Sequence, residues 1–180
     1  MTELIQETAD DIQYLESISN ALDIALSEAD LAQIKEELMQ SGYIRRKHTK
    51  KKVKLTSKPM HYISSDGYDM YVGKNNLQNE ELTFSFANGN DWWFHAKGAP
   101  GSHVIVKSGG DELPDCTFEE AGRLAAYYSK NRGADKVEID YIQKKHVKKP
   151  NGAKPGFVVY YTNYSLVIDS DISNIKNVQD

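Results

Sequence analysis

Ile5, Ile12, Leu15, Leu22 and Leu26 recur three, four and seven residues apart with polar residues between them, which is the spacing of one face of an α-helix. The opening stretch is therefore predicted to be an amphipathic helix. A second helix is predicted from Ser27, whose hydroxyl suits an N-cap and which Glu28 and Asp30 follow; it carries Leu31, Ile34 and Leu38 and stops at Gly42. Two short helices cannot bury such stripes alone, so they are expected to pack on each other, on the following domain, or on chain outside this sequence. The pattern starts without a cap, as expected of the end of a longer coiled-coil region.

Residues 45–58 carry charge without a helical period and run to Pro59, so a linker is predicted there. The period then changes. Residues 60–63 and 70–72 read as strands of a hairpin whose turn is Ser64-Ser65-Asp66-Gly67. Residues 79–87 read as a short helix, and residues 91–97 and 104–106 as strands. Thr117 and Glu120 have the spacing of a capping box, which predicts a helix burying Phe118, Ala121, Leu124, Ala125 and Tyr128 and ending at Gly133. Strands are predicted at 137–143, 157–161 and 164–168. The division is a helical hairpin at 1–42, a basic linker at 43–59, and a domain at 60–180. That domain is expected to be α+β, with a small mixed or antiparallel sheet and one long and one short helix.

Charge changes this picture more than composition does. The 180 residues sum to −4, but residues 1–42 hold ten acids against Lys35 alone, and residues 43–74 hold nine bases against Asp66 and Asp69. A second basic run, residues 144–156, has five lysines, one histidine and no acid. Such runs attract polyanions whatever the net charge. A single cysteine, Cys116, excludes a disulfide scaffold or a thiolate metal cluster. No apolar stretch approaches the ~20 residues of a spanning helix, so no membrane partner is expected. The acidic first ten residues are the reverse of a signal peptide, and the expected location is the cytoplasm.

Strand alternation places Trp92, Phe94 and Ala96 on one face of the 91–97 strand and Asp91, Trp93, His95 and Lys97 on the other. The first set is expected to be core. The second is expected to be an exposed RNA-binding face, with Trp93 or a nearby tyrosine stacking on a base, Lys97 on phosphate and Asp91 orienting His95. Gly101, Ser102 and His103 follow it around a turn. Lys144, Lys145, His146, Lys148 and Lys149 add a second phosphate-binding segment, and Arg45, Arg46, Lys47, Lys50, Lys51 and Lys52 a third. His95 and His103 flank a turn and can converge, but no third ligand stands at motif spacing, so neither metal nor cofactor is assigned. Ser102-His103 lacks the G-x-S-x-G elbow, and residues 98–101 lack the P-loop lysine. No catalytic residue is assigned, and the chain is read as a binding module rather than an enzyme.

Two stretches resemble a known family: S-S-D-G-Y-D-M-Y-V-G-K-N-N-L-Q-N at 64–79 and D-W-W-F-H-A-K-G-A-P-G-S-H-V at 91–104. Both are similar to the NFACT-R domain of the RqcH, NEMF and fibronectin-binding-protein-A-like group, over about residues 60–170. The acidic helices before E-L-M-Q-S-G-Y-I resemble the end of that group's coiled-coil region. The resemblance implies an RNA-binding module of ribosome-associated quality control. Its partners would be tRNA or ribosomal RNA and the large ribosomal subunit on stalled nascent chains, with alanine tailing belonging to the longer protein. The group's other name implies fibronectin as a partner, which makes a surface adhesin fragment one alternative; an enzyme acting on nucleic acid is another.

Overall fold

The computed structural model describes residues 2–46 and 56–178. Helices α1 (Thr2–Ile24) and α2 (Glu28–Gln40) form the expected hairpin, and Ser27 caps α2 by accepting from the Asp30 amide. The strands are β1 (Met60–Ile63), β2 (Asp69–Val72), β3 (Trp92–Ala96), β4 (Val104–Val106), β5 (Val137–Gln143), β6 (Tyr164–Ile168) and β7 (Lys176–Asn177). They make a single sheet in the order β6-β5-β3-β4-β2-β1-β7, every neighbouring pair antiparallel. Helix α3 (Asn76–Glu81) and helix α4 (Asp115–Tyr127) complete an α+β fold.

The sheet buries both faces. Phe94, Ala96, Val104 and Val106 pack under Ala121, Leu124 and Ala125 of α4. Gly122 of α4 lies so near β6 that a Cβ there would stand 2.9 Å from Leu166 Cδ1, which fixes how closely the helix approaches. On the opposite face Trp93, Ile105, Ile142 and Val147 form a second core. It is closed by Leu82 and Ala87 around a π-helical turn, Leu82–Phe86, and by Val158 and Tyr160.

Several local expectations are corrected. The predicted capping box is absent, because α4 starts earlier, after an extended Pro114. Thr117 and Glu120 are buried helix residues that hold the β1–β2 turn: Thr117 Oγ1 donates to Asp66 Oδ2 (2.8 Å), and the Glu120 carboxylate accepts from the Ser65 amide (3.0 Å). The helix ends at Tyr127, short of Gly133. Residues 157–161 are not a strand; only Val159 makes an isolated bridge, to Lys148. The short helix begins at Asn76, three residues early, with Asn75 as its cap.

Helix α1 turns a different face inward from the one predicted. Tyr14, Ile18, Ala21 and Ile24 are buried, whereas Ile5, Ile12, Leu15, Leu22 and Leu26 are 45–84% exposed. Tyr14 donates to Glu37 Oε1 (3.1 Å), Asn76 Nδ2 donates to the same oxygen (2.8 Å), and Asn20 Nδ2 donates to the Tyr128 carbonyl (3.2 Å). The hairpin is thus docked on α3 and on the end of α4 through buried polar contacts as well as apolar ones.

Candidate nucleic-acid interface

The predicted face of β3 is largely covered. Trp93 has no exposed surface and is enclosed by His95 (stacked, 5.7 Å between centroids), His103 (edge-on, 5.2 Å) and Tyr160 (4.9 Å). It is a core residue here, not an exposed stacking platform. His103 is also buried, its Nδ1 hydrogen-bonded to Thr83 Oγ1 (2.8 Å) and its amide donating to Asn79 Oδ1 (3.0 Å). That asparagine oxygen stands 2.0 Å from where a Cβ of residue 73 would be, so Gly73 is required beside it. Burial lowers the pKa of both imidazoles, that of His103 well below the ordinary histidine value. His95 and His103 do converge, with centroids 5.6 Å apart. Among the described residues no group of three or more His, Cys, Asp or Glu is placed to hold a metal.

Asp91 does not orient His95. It lies at the other end of the strand, 1% exposed, and accepts from the Asn88 amide (2.7 Å), the Ser108 amide (3.1 Å) and Lys107 Nζ (2.6 Å). The acid opposite His95 is Asp140, its register partner on β5. Ser102 is buried, its Oγ without a hydrogen-bond partner, and Gly101 makes a bridge to Ser129. Lys97 is exposed but donates to Glu138 Oε1 (2.7 Å), which raises its pKa. Lys149 is bound to Glu80 Oε2 (2.8 Å), an oxygen that also accepts from the Gly156 amide (2.8 Å). These two cations are partly committed within the fold.

The segment after β5 differs. The Lys144 amide donates to the Asp91 carbonyl (2.8 Å), the Lys145 amide to the Gly89 carbonyl (2.9 Å), and the Lys148 amide to the Val159 carbonyl (2.9 Å). Val147 is sunk into the second core. The backbone is thereby fixed as a strap across the sheet end, from which Lys145, His146 and Lys148 project exposed and Lys144 half-buried. Among the described residues no carboxylate forms an ion pair with Lys144, Lys145 or Lys148. Of the first basic run, Arg45 is exposed, Arg46 is paired with Glu36 (3.2 Å), and Lys47, Lys50, Lys51 and Lys52 lie outside the described residues.

Sequence reasoning missed the aromatic neighbours of the strap. The π-helical turn presents Phe84 and Phe86, the latter 40% exposed; Lys144 Nζ lies 5.9 Å from the Phe84 ring and Lys107 Nζ 4.6 Å from the Phe86 ring. Tyr71 meets Phe86 edge-on (4.8 Å), and His61 stacks on Tyr71 (4.5 Å). An insertion in the i→i−4 ladder is often found at functional sites. No periodicity in L-T-F-S-F announces it. Interleaved cations and aromatic rings are the ingredients of sequence-tolerant binding to nucleic acid.

A profile of the NFACT protein RNA binding domain matches residues 58–162, and one of the NFACT N-terminal and middle domains matches residues 1–57. The chain belongs to the NFACT family. Among its relatives, the Rqc2 homolog RqcH of Streptococcus pneumoniae is 44% identical over 180 residues, covering 99% of this chain and 32% of the relative. The Rqc2 homolog RqcH of Bacillus subtilis is 39% identical over 178 residues, covering 96% and 30%. The chain therefore spans about a third of the length of these relatives. A solved structure, the C-terminal of the fibronectin/fibrinogen-binding protein from Streptococcus suis, superposes with a TM-score of 0.89 at 42% identity, covering 97% of this chain and 71% of that one. Both sequence stretches that resembled NFACT-R lie inside the matched RNA-binding domain, as do the strap and the π-helical turn. No helix among the described residues is long and apolar enough to cross a membrane.

Proposed function

We propose that this chain is the RNA-binding part of a cytoplasmic, ribosome-associated quality control factor, holding tRNA or ribosomal RNA at the large subunit on stalled nascent chains. It binds and does not itself catalyse; alanine tailing belongs to the longer protein. The family match supports RNA as the partner. The observation that carries the placement is the strap, where Lys144, Lys145 and Lys148 stand on a fixed backbone without a carboxylate partner among the described residues, beside Phe84 and Phe86. Lysines so held neutralise phosphates, and nearby rings take unpaired bases. Lys97 and Lys149, each paired with a glutamate, contribute less.

The test is a titration of the chain with tRNA. Replacing Lys144, Lys145 and Lys148 together by Ala is expected to weaken binding to every RNA alike and to reduce the salt slope by about 1 per lysine. Lys97→Ala is expected to change both little. An unchanged slope in the triple variant refutes the strap. The name of the Streptococcus suis structure favours a second reading, an adhesive surface for fibronectin. Saturable binding to immobilised fibronectin by a chain that ignores RNA would establish that reading instead.

A further inference from the structure

A cavity of about 300 Å³, at the lower end for ligand sites (~300–1,000 Å³), lies next to the strap and has no role in the reading above. It is lined by Trp93, His95, His103 and Tyr160, by Asn76 and Asn79 of α3, by the 98–101 loop, and at α1 by Gln13 and Glu16.

The lining is aromatic, polar and almost free of charge. Among the described residues that line it there is no lysine or arginine, and Glu16, exposed on α1, is the one carboxylate. Burial lowers the pKa of both imidazoles, which disfavours their charged forms. A phosphate would find no cation here. A flat, uncharged ring with hydrogen-bonding edges suits the site better, because the half-buried rings of His95 and Tyr160 can stack on it and the exposed Gln13 amide can meet ring nitrogens and carbonyls. Trp93 Nε1, behind that lining, is buried without a hydrogen-bond partner, whereas a buried indole N–H ordinarily has an acceptor.

Position ties the cavity to the strap. Val158 and Tyr160 line it, while Val159 between them exchanges two backbone hydrogen bonds, each 2.9 Å, with exposed Lys148. We propose that the cavity receives one unpaired nucleobase of an RNA strand whose neighbouring phosphate rests on Lys148. This deepens the RNA-binding reading and rests on it.

The full chain is titrated with an RNA hairpin bearing a single-stranded 3′ overhang, and with the same hairpin whose overhang nucleotides are abasic. All phosphates are kept. Loss of the bases is expected to weaken binding about tenfold with the salt slope unchanged. Gln13→Trp adds bulk at the exposed rim without entering either core. It is expected to lower the intact hairpin to the abasic affinity with the melting temperature preserved. Adenosine alone is expected to compete only weakly. Equal affinity for both hairpins, with a normal salt slope, overturns the pocket and leaves the RNA reading standing; binding to neither overturns both. Adenosine as tight as the overhang would make this a nucleoside site instead.

Discussion

Asp91 joins three groups: the Asn88 and Ser108 amides and the Lys107 ammonium. Asp91→Ala strands a cation and two amides. The expected cost is about 3 kcal/mol, the lower end for breaking a buried pair because the Lys107 side chain keeps 24% of its exposure. Urea unfolding at pH 7 measures it, and a loss under about 1 kcal/mol would show that the cluster is not a clasp. Buried His103 and half-buried His95 make a pH prediction. Their folded pKa values lie below 6.5, so the unfolded chain takes up protons first as the solution is acidified. Stability is therefore fully present above pH ~6.5 and falls below it by up to ~1.4 kcal/mol per pH unit for each histidine, until the folded pKa is reached. His103→Gln should flatten that slope between pH 6.5 and 5. Burial raises the pKa of Glu37, an opposite effect common to both proteins. An unaltered slope would contradict the assignment. Strand parity correctly put Trp93 and His95 on one face, but it could not reveal that irregular segments cover that face. Nor could it pair His95 with Asp140, because register between strands 45 residues apart leaves no local pattern.

Helix α1 was legible as a helix and misread in rotation. Counting aliphatic residues favoured the Ile12, Leu15, Leu22 stripe, while the buried face is built around Tyr14, Ser17, Asn20 and their partners Glu37 and Asn76. Polar residues with dedicated partners look like surface in a sequence. Ile18→Ala is expected to cost about 2–5 kcal/mol and Leu22→Ala, half exposed, no more than about 0.5, as read by thermal melting. The reverse order would mean that the helix docks by its aliphatic stripe. The hairpin β1–β2 was readable from alternation and the Asp66-Gly67 turn, and β3–β6 from short runs rich in β-branched and aromatic residues, β4 being the wholly apolar V-I-V. Strand β7, two residues long and paired to β1 from the far end of the chain, has no such signal.

Across the molecule, the acidic head and the basic body are partly complementary to each other. Asp30 holds Lys74 (3.1 Å), Asp23 holds Lys130 (2.6 Å) and Asp11 holds Lys154 (2.6 Å), all between the helical hairpin and the sheet domain. The charge asymmetry visible along the sequence therefore serves folding, and the lysines outside such pairs are the ones proposed to meet RNA. The strap is one fixed part of that remainder. The most direct measurement is the association constant of the chain for tRNA, a ribosomal RNA fragment and a scrambled duplex across a range of salt. Preference for one structured RNA is expected, with log K falling by about 0.7–0.9 per lysine–phosphate contact for each tenfold rise in salt, hence a slope of about −2 to −3 from the strap. Weak, equal binding to all three RNAs with a flat salt dependence would contradict it.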